Sequence, residues 1–341
     1  VLSCAPREKL GLYLSLGGAC ITLGPAFGPV ISGLMCTLFG WRAVFVVPLV
    51  GGVVVAAAGV KLVQNVGERS NTTLDILSVV LLAAGITAFV YSVGEFSTNL
   101  IAGVVALFAA VVLLGLFAAR QLKLEHPVLN VRPMASVRFW PACLLVVVSM
   151  MTTFSMSVLL PLYFEGAYGM TALVAGLLIL PAIACNAVTS IVGGRVMDAR
   201  GAWPLLPVGF ALIAVGQTAI SVTAVSMNIG VVVALTVVVY AGVGLVLSPS
   251  QTAGLETLPA AEHPHGTALL NTWNMIAASF GPSLFIGLLS SSAAAASVAG
   301  AAIDVAQAIG FAAAVRVAAV IAVVGFVASL VYAHRESHMS H

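Results

Sequence analysis

The chain has 341 residues, 61% of them hydrophobic and only 7% charged, with a formal net charge of +2. Soluble domains carry about 25% charged residues, so this chain lacks the polar surface of a large soluble enzyme and is far too apolar to be disordered. No basic stripe accompanies the small net charge, which argues against a nucleic-acid partner; the class left standing is an all-α polytopic membrane protein.

A spanning helix needs about 20 mainly apolar residues. Ten windows qualify, at about 11–36, 43–64, 75–94, 99–119, 140–164, 171–192, 203–225, 229–250, 266–290 and 309–333. They are too long and too closely spaced for strands, and too continuous for the alternating segments of a barrel. Inside a bilayer a helix satisfies its own backbone, which makes helices the expected element.

The chain opens on Val1 without a signal-peptide pattern, and the expectation is a fragment with a start further upstream. Cys4, Cys20, Cys36, Cys143 and Cys185 form no CxxC pair, so they are expected to be free thiols, with no disulfide framework and no metal site. The first window holds two Gly-Pro pairs, Gly24-Pro25 and Gly28-Pro29, followed by Gly33. An interior Pro costs a helix in water about 3 kcal/mol, whereas neighbouring helices in a membrane can absorb the freed groups. Gly24, Gly28 and Gly33 leave a shallow face for a close backbone approach. The ninth window repeats the theme with Gly281-Pro282 and Gly287. Gly/Pro-interrupted helices in two halves suggest an internal repeat of the kind secondary transporters carry; ordinary small-residue packing is the plainer reading.

Acids near the spans are few. Asp75 opens the third window, Glu95 follows it and Glu165 ends the fifth. An acid in a membrane is a proton-relay candidate, although all three lie near predicted interfaces, where solvated helix ends account for them as well. The connection at 120–139 is polar, basic and Pro-containing, the best internal boundary. Asn186, Gln217, Asn271 and Asn274 fall inside spans; each either lines a binding cavity or bonds between helices. Asn271 and Asn274 are three apart and are expected to share a face. Trp273, Met275 and Phe280 could add an adaptable apolar wall. After the sixth window comes a Gly194–Gly201 loop carrying Arg195, Asp198 and Arg200, charges able to bond helix ends and bias one conformational state or simply to anchor the chain. The segment at 291–308 reads as a loop or a helical extension. Arg316 sits some two turns into the last window, placed to snorkel. His263, His265, His334, His338 and His341 lie in connections and tails.

Alternating the connections places eleven of the thirteen basic residues on one side; only Arg42 and Arg316 lie on the other. The positive-inside rule makes the basic side cytoplasmic, with both ends of the chain inside. No phosphate-binding loop occurs, so ATP is not the expected energy source.

These residues carry a resemblance. Gly17 to Gly33 and Gly40-Trp41-Arg42 through Pro48 resemble the antiporter motif of the major facilitator superfamily, and in particular its fourteen-helix drug:proton antiporters of the EmrB/QacA type. Pro161 to Glu165, Gly194-Arg195 through Gly201, and Gly266 to Asn271 agree with the same family over nearly the whole chain. Asn274-Met275 departs from its usual Arg-Gln. The resemblance implies that the chain corresponds to helices five to fourteen. Residues 1–64 would then be the last two helices of the N-terminal bundle, 65–139 two extra central helices with the basic connection, and 140–341 a six-helix C-terminal bundle. It further implies a bacterial plasma-membrane protein, not an enzyme, that exports small hydrophobic or cationic drugs in exchange for protons by alternating access, with no cofactor beyond the proton gradient. The antiporter motif would be Gly24, Pro25, Gly28, Pro29 and Gly33. The gating loop would be Gly194, Arg195, Asp198, Arg200 and Gly201. A rival stands beside it: a truncated, non-transporting membrane protein, or a subunit whose N-terminal bundle a partner completes. The oligomeric state is not legible.

Overall fold

The structure is a computed structural model that describes residues 28, 30–62, 75–95, 99–124, 127–137, 139–202, 205–259 and 262–337. Its elements in chain order are α1 (Val30–Phe39), a 3-10 turn at Trp41–Phe45, α2 (Val46–Leu62), α3 (Ile76–Glu95) and α4 (Leu100–Lys123). A short turn at Arg132–Ala135 leads into α5 (Phe139–Tyr168), α6 (Ala172–Arg200), α7 (Leu205–Thr223), α8 (Ile229–Glu256), α9 (His263–Val298) and α10 (Ile303–Ser337). Among the described residues nine helices are long and apolar enough to cross a membrane. The first expected window, 11–36, lies mostly outside those residues.

The described residues divide into two units, one of 1–73 with 169–180 and one of 74–168 with 181–341. In the first, α1 meets the start of α6 at Gly33, where a Cβ would lie 2.5 Å from the Ala172 carbonyl oxygen. α2 has no buried residue.

In the second unit, glycines set the helix spacing. A Cβ on Gly242 of α8 would lie 2.5 Å from the Gly209 carbonyl oxygen of α7, and one on Gly216 of α7 would lie 2.7 Å from Val239 of α8. Gly244 of α8 meets Thr189 and Asn186 of α6, and Gly310 of α10 meets Leu289 and Ala293 of α9. Lipid tails are as apolar as leucine, so close packing rather than water exclusion holds such helices together. Phe139, Tyr163, Phe164, Phe210, Phe285 and Phe311 fill the bundle between them, all fully buried. Tyr163 stacks on Phe311 with ring centroids 4.2 Å apart, and its hydroxyl donates to the Ala224 carbonyl at 2.7 Å.

Helix ends follow their local chemistry. The Asn99 and Asn228 side chains accept from the Ala102 and Val231 amides and start α4 and α8. Gly201 at φ 74° and Gly300 at φ 90° end α6 and α9 in the left-handed region that side chains avoid. One expectation is corrected here, and one open alternative is decided. The Gly194–Gly201 segment is not a loop: nothing before Gly201 breaks the helix, and α6 continues through Arg200. The 291–308 segment is largely helical, since α9 runs 36 residues to Val298, about 54 Å at 1.5 Å per residue. That exceeds a hydrocarbon core of about 30 Å, so α9 projects beyond it.

The glycine contacts give a direct test. Gly242→Leu is expected to lower the unfolding midpoint in detergent, with an overpacking cost of about 1–3 kcal/mol. Gly115→Leu, on an open face of α4, is expected to leave it unchanged.

Candidate functional site

The first polar arrangement ties α3 to α4. Arg120 Nε donates to Asp75 Oδ2 at 2.6 Å, and its Nη2 donates to Oδ1 at 3.0 Å. The Ser78 hydroxyl donates to the same carboxylate, Gln121 Nε2 donates to Ser78 Oγ, and the Leu129 amide donates to Gln121 Oε1. This chain of bonds fastens the α3–α4 hairpin to the connection leading into α5. The Arg120 and Ser78 hydrogen bonds hold the Asp75 carboxyl down to about 2. Asp75 is therefore a bonded end of the hairpin, not the solvated helix end that its position suggested.

The second arrangement lies along α9. Asn271, Met275 and Ser279 recur on its exposed side, with Met275 63% exposed. The hydroxyls of Thr272, Ser279 and Ser283 donate to carbonyls one turn back, which satisfies them within the helix. Among the described residues the Asn271 amide has no hydrogen-bond partner. Asn274 instead turns inward and is 7% exposed. The two asparagines stand about 60° apart around the helix and fall on either side of its burial boundary, so the shared face expected of them is not found. Phe280 stacks on Phe89 of α3 with centroids 5.1 Å apart, nine residues on from Asn271 and so about half a turn round the helix from it.

α3 carries its own open groove of about 560 Å³, lined by Val80, Ala83, Ala84, Thr87, Ala88, Tyr91 and Ala106. Beside it, at the end of α3, Tyr91 hydrogen-bonds with Glu95. Glu165 is exposed near the end of α5.

The remaining candidates scatter. Asn186 Nδ2 donates to the Tyr240 carbonyl at 3.1 Å and ties α6 to α8. Gln217 of α7 is fully buried, away from any open face. Gly28 is exposed, and among the described residues nothing lies within 4 Å of where its Cβ would stand. Arg195 is exposed near the end of α6, and the backbones of Asp198 and Arg200 complete that helix. Gly24, Pro25 and Pro29 lie outside the described residues. Arg316 stands thirteen residues after the start of α10 at Ile303. It shares an exposed face with Val320, Val323 and Val327. The Asp75–Arg120 pair escaped the sequence reading, although its signal was present: Asp75 lies as far before the end of α3 at Glu95 as Arg120 lies after the start of α4 at Leu100.

Comparison with known proteins adds what geometry alone does not. A model of the Major Facilitator Superfamily matches residues 1–282. Lincomycin resistance protein LmrB of Listeria monocytogenes is 31% identical over 293 residues, covering 85% of this chain and 62% of that protein. Lincomycin resistance protein LmrB of Bacillus subtilis is 30% identical over 298 residues, with the same shares. Riboflavin transporter RibZ of Clostridioides difficile is 22% identical over 294 residues, covering 86% of this chain and 64% of that protein. The chain thus spans a little over three fifths of the length of these relatives.

The ion pair makes a pH prediction. The folded pKa of Asp75 lies below the unfolded value of about 3.9. The stability it contributes is therefore complete above that value and is lost as the pH falls through about 2. Asp75→Asn is expected to lower the unfolding temperature by the same amount throughout about pH 5 to pH 8, as thermal melts in buffers across that range would record.

Proposed function

This chain belongs to the major facilitator superfamily, and we propose that it works as a proton-coupled exporter of small hydrophobic or cationic compounds. It is a multi-pass membrane protein of a transporter family, not an enzyme. The observation that carries the finer reading is the α9 stripe. An open asparagine amide one turn from the flexible, polarisable Met275 on the exposed side of α9 offers one hydrogen bond beside an adaptable apolar side chain. That chemistry suits varied compounds better than one rigid ligand. The names of the two lincomycin resistance proteins favour drug export, and lincomycin is a fitting first probe.

In this reading the basic ends of the helices face the cytoplasm of a bacterial cell, and both ends of the chain lie inside. The C-terminal bundle moves as one body, since its helices interlock at glycine contacts that permit little sliding. Gly28 and Gly33 form part of the surface that closes on substrate. Arg195, Asp198 and Arg200, at the basic end of α6, exchange partners between the two states. The proton is taken by a carboxyl that is not already bonded to an arginine. Glu165 is the first choice and Glu95, beside Tyr91, the second; the Arg120 pair makes Asp75 the least suited.

A second reading has its own observation. Among the described residues, nothing lies within 4 Å of where a Cβ on Gly51, Gly52 or Gly59 of α2 would stand. Glycine-bearing faces of membrane helices are contact surfaces. On that reading this chain exports nothing until further helices cover α2.

Asn271→Leu is expected to reduce lincomycin resistance and ethidium efflux at least tenfold in cells making the protein, with membrane insertion unchanged, as immunoblotting of membranes would confirm. Full efflux by Asn271→Leu contradicts the α9 site. Glu165→Gln is expected to retain ethidium binding and to lose efflux driven by a pH gradient; efflux at the wild-type rate removes Glu165 as the proton carrier. Gly28→Leu is expected to abolish efflux without loss of membrane insertion.

A further inference from the structure

We infer that the C-terminal bundle holds a buried water-binding site at mid-depth, between Gln217 of α7 and Ser155 of α5. The argument starts from a layer of contact one step away. A Cβ on Gly325 of α10 would lie 2.8 Å from Phe210 of α7 and 3.0 Å from Val148 of α5. These three residues therefore face one another. Seven residues along a helix is two turns and returns to nearly the same face. α5 and α7 run in one direction through the bundle and α10 in the other. Two turns on, Val148 gives way to Ser155, Phe210 to Gln217 and Gly325 to Ala318.

All three of these residues are buried: Ser155 and Gln217 are 0% exposed and Ala318 is 2% exposed. A fourth helix closes the spot. A Cβ on Gly281 of α9 would lie 3.0 Å from Ser155 Oγ and 3.2 Å from Met151 Cα. Among the described residues, Gln217 Oε1, Gln217 Nε2 and Ser155 Oγ have no hydrogen-bond partner. A primary amide left wholly unbonded in an apolar bundle is strongly unfavourable.

The chemistry of the layer selects the ligand. Its polar atoms are neutral, one carbonyl acceptor, one amide donor and one hydroxyl that can do either. Arg316, two residues before Ala318, is exposed on the outer side of α10 and does not face the layer. An ion would meet no countercharge. A water molecule can donate to Oε1, accept from Nε2 and bond the hydroxyl, and buried waters make about three such bonds.

The test is a structure of the full chain in lipid nanodiscs at a resolution that shows ordered water. A density peak within hydrogen-bond distance of both the Gln217 amide and Ser155 Oγ supports the site. A Gln217 amide bonded directly to Ser155 or to a helix carbonyl, with no peak, overturns it. Radiolytic hydroxyl labelling is the second measurement. Buried Met151 and Met156 flank the layer and are expected to label several-fold faster in the wild-type chain than in Ser155→Ala/Gln217→Leu. Equal labelling rates overturn the proposal as well.

Discussion

Close backbone contact at glycines is the constraint on which this structure depends. Where Gly242 meets Gly209, Gly244 meets Thr189 and Gly310 meets Leu289, two helices can fit in only one register. Without a hydrophobic drive between helices in lipid, these contacts decide which face of each helix turns inward. The placement of every polar side chain follows from that register. Rotating α9 by the angle between Asn271 and Asn274 would exchange the buried amide for the open one.

Polar groups in the bundle find different solutions at different depths. At the basic end of the α3–α4 hairpin, Asp75, Arg120, Ser78 and Gln121 bond one another and the following connection. Along α9, hydroxyls return to their own helix. Asn186 spends its amide on α8. These groups serve architecture. Asn271 differs from the buried, unbonded Gln217 amide in standing on an exposed face, with no hydrogen-bond partner among the described residues. A group of that kind on an exposed face is available for a substrate.

Much of the fold was legible because bilayer thickness imposes a length and a hydropathy that any sequence must display. The windows from 43–64 to 309–333 each correspond to a helix. Their ends were less legible, since hydropathy falls before helix geometry does: α6 runs on through charged residues to Gly201, and α9 runs on through serine and alanine to Val298. The basic bias named an expected inner face but not the partners within it. Asp75 and Arg120 looked like separate helix ends until the hairpin brought them together, although their equal distance from the facing ends of α3 and α4 encodes the pairing. The site was only partly legible. Gln217 and Asn274 are polar residues in spans, just as Asn271 is, and composition cannot tell an inward amide from an outward one. That distinction needs the register of the glycine contacts.

The central claim is that a substrate and a proton cross through this protein in opposite directions. Proteoliposomes carrying the chain, with an acidic interior and a pH-sensitive dye inside, test it most directly. Adding ethidium to the outside should raise the interior pH in step with ethidium accumulation, and a protonophore should abolish both. A chain that is inserted and folded, yet leaves the interior pH unmoved when ethidium is added, would contradict the account.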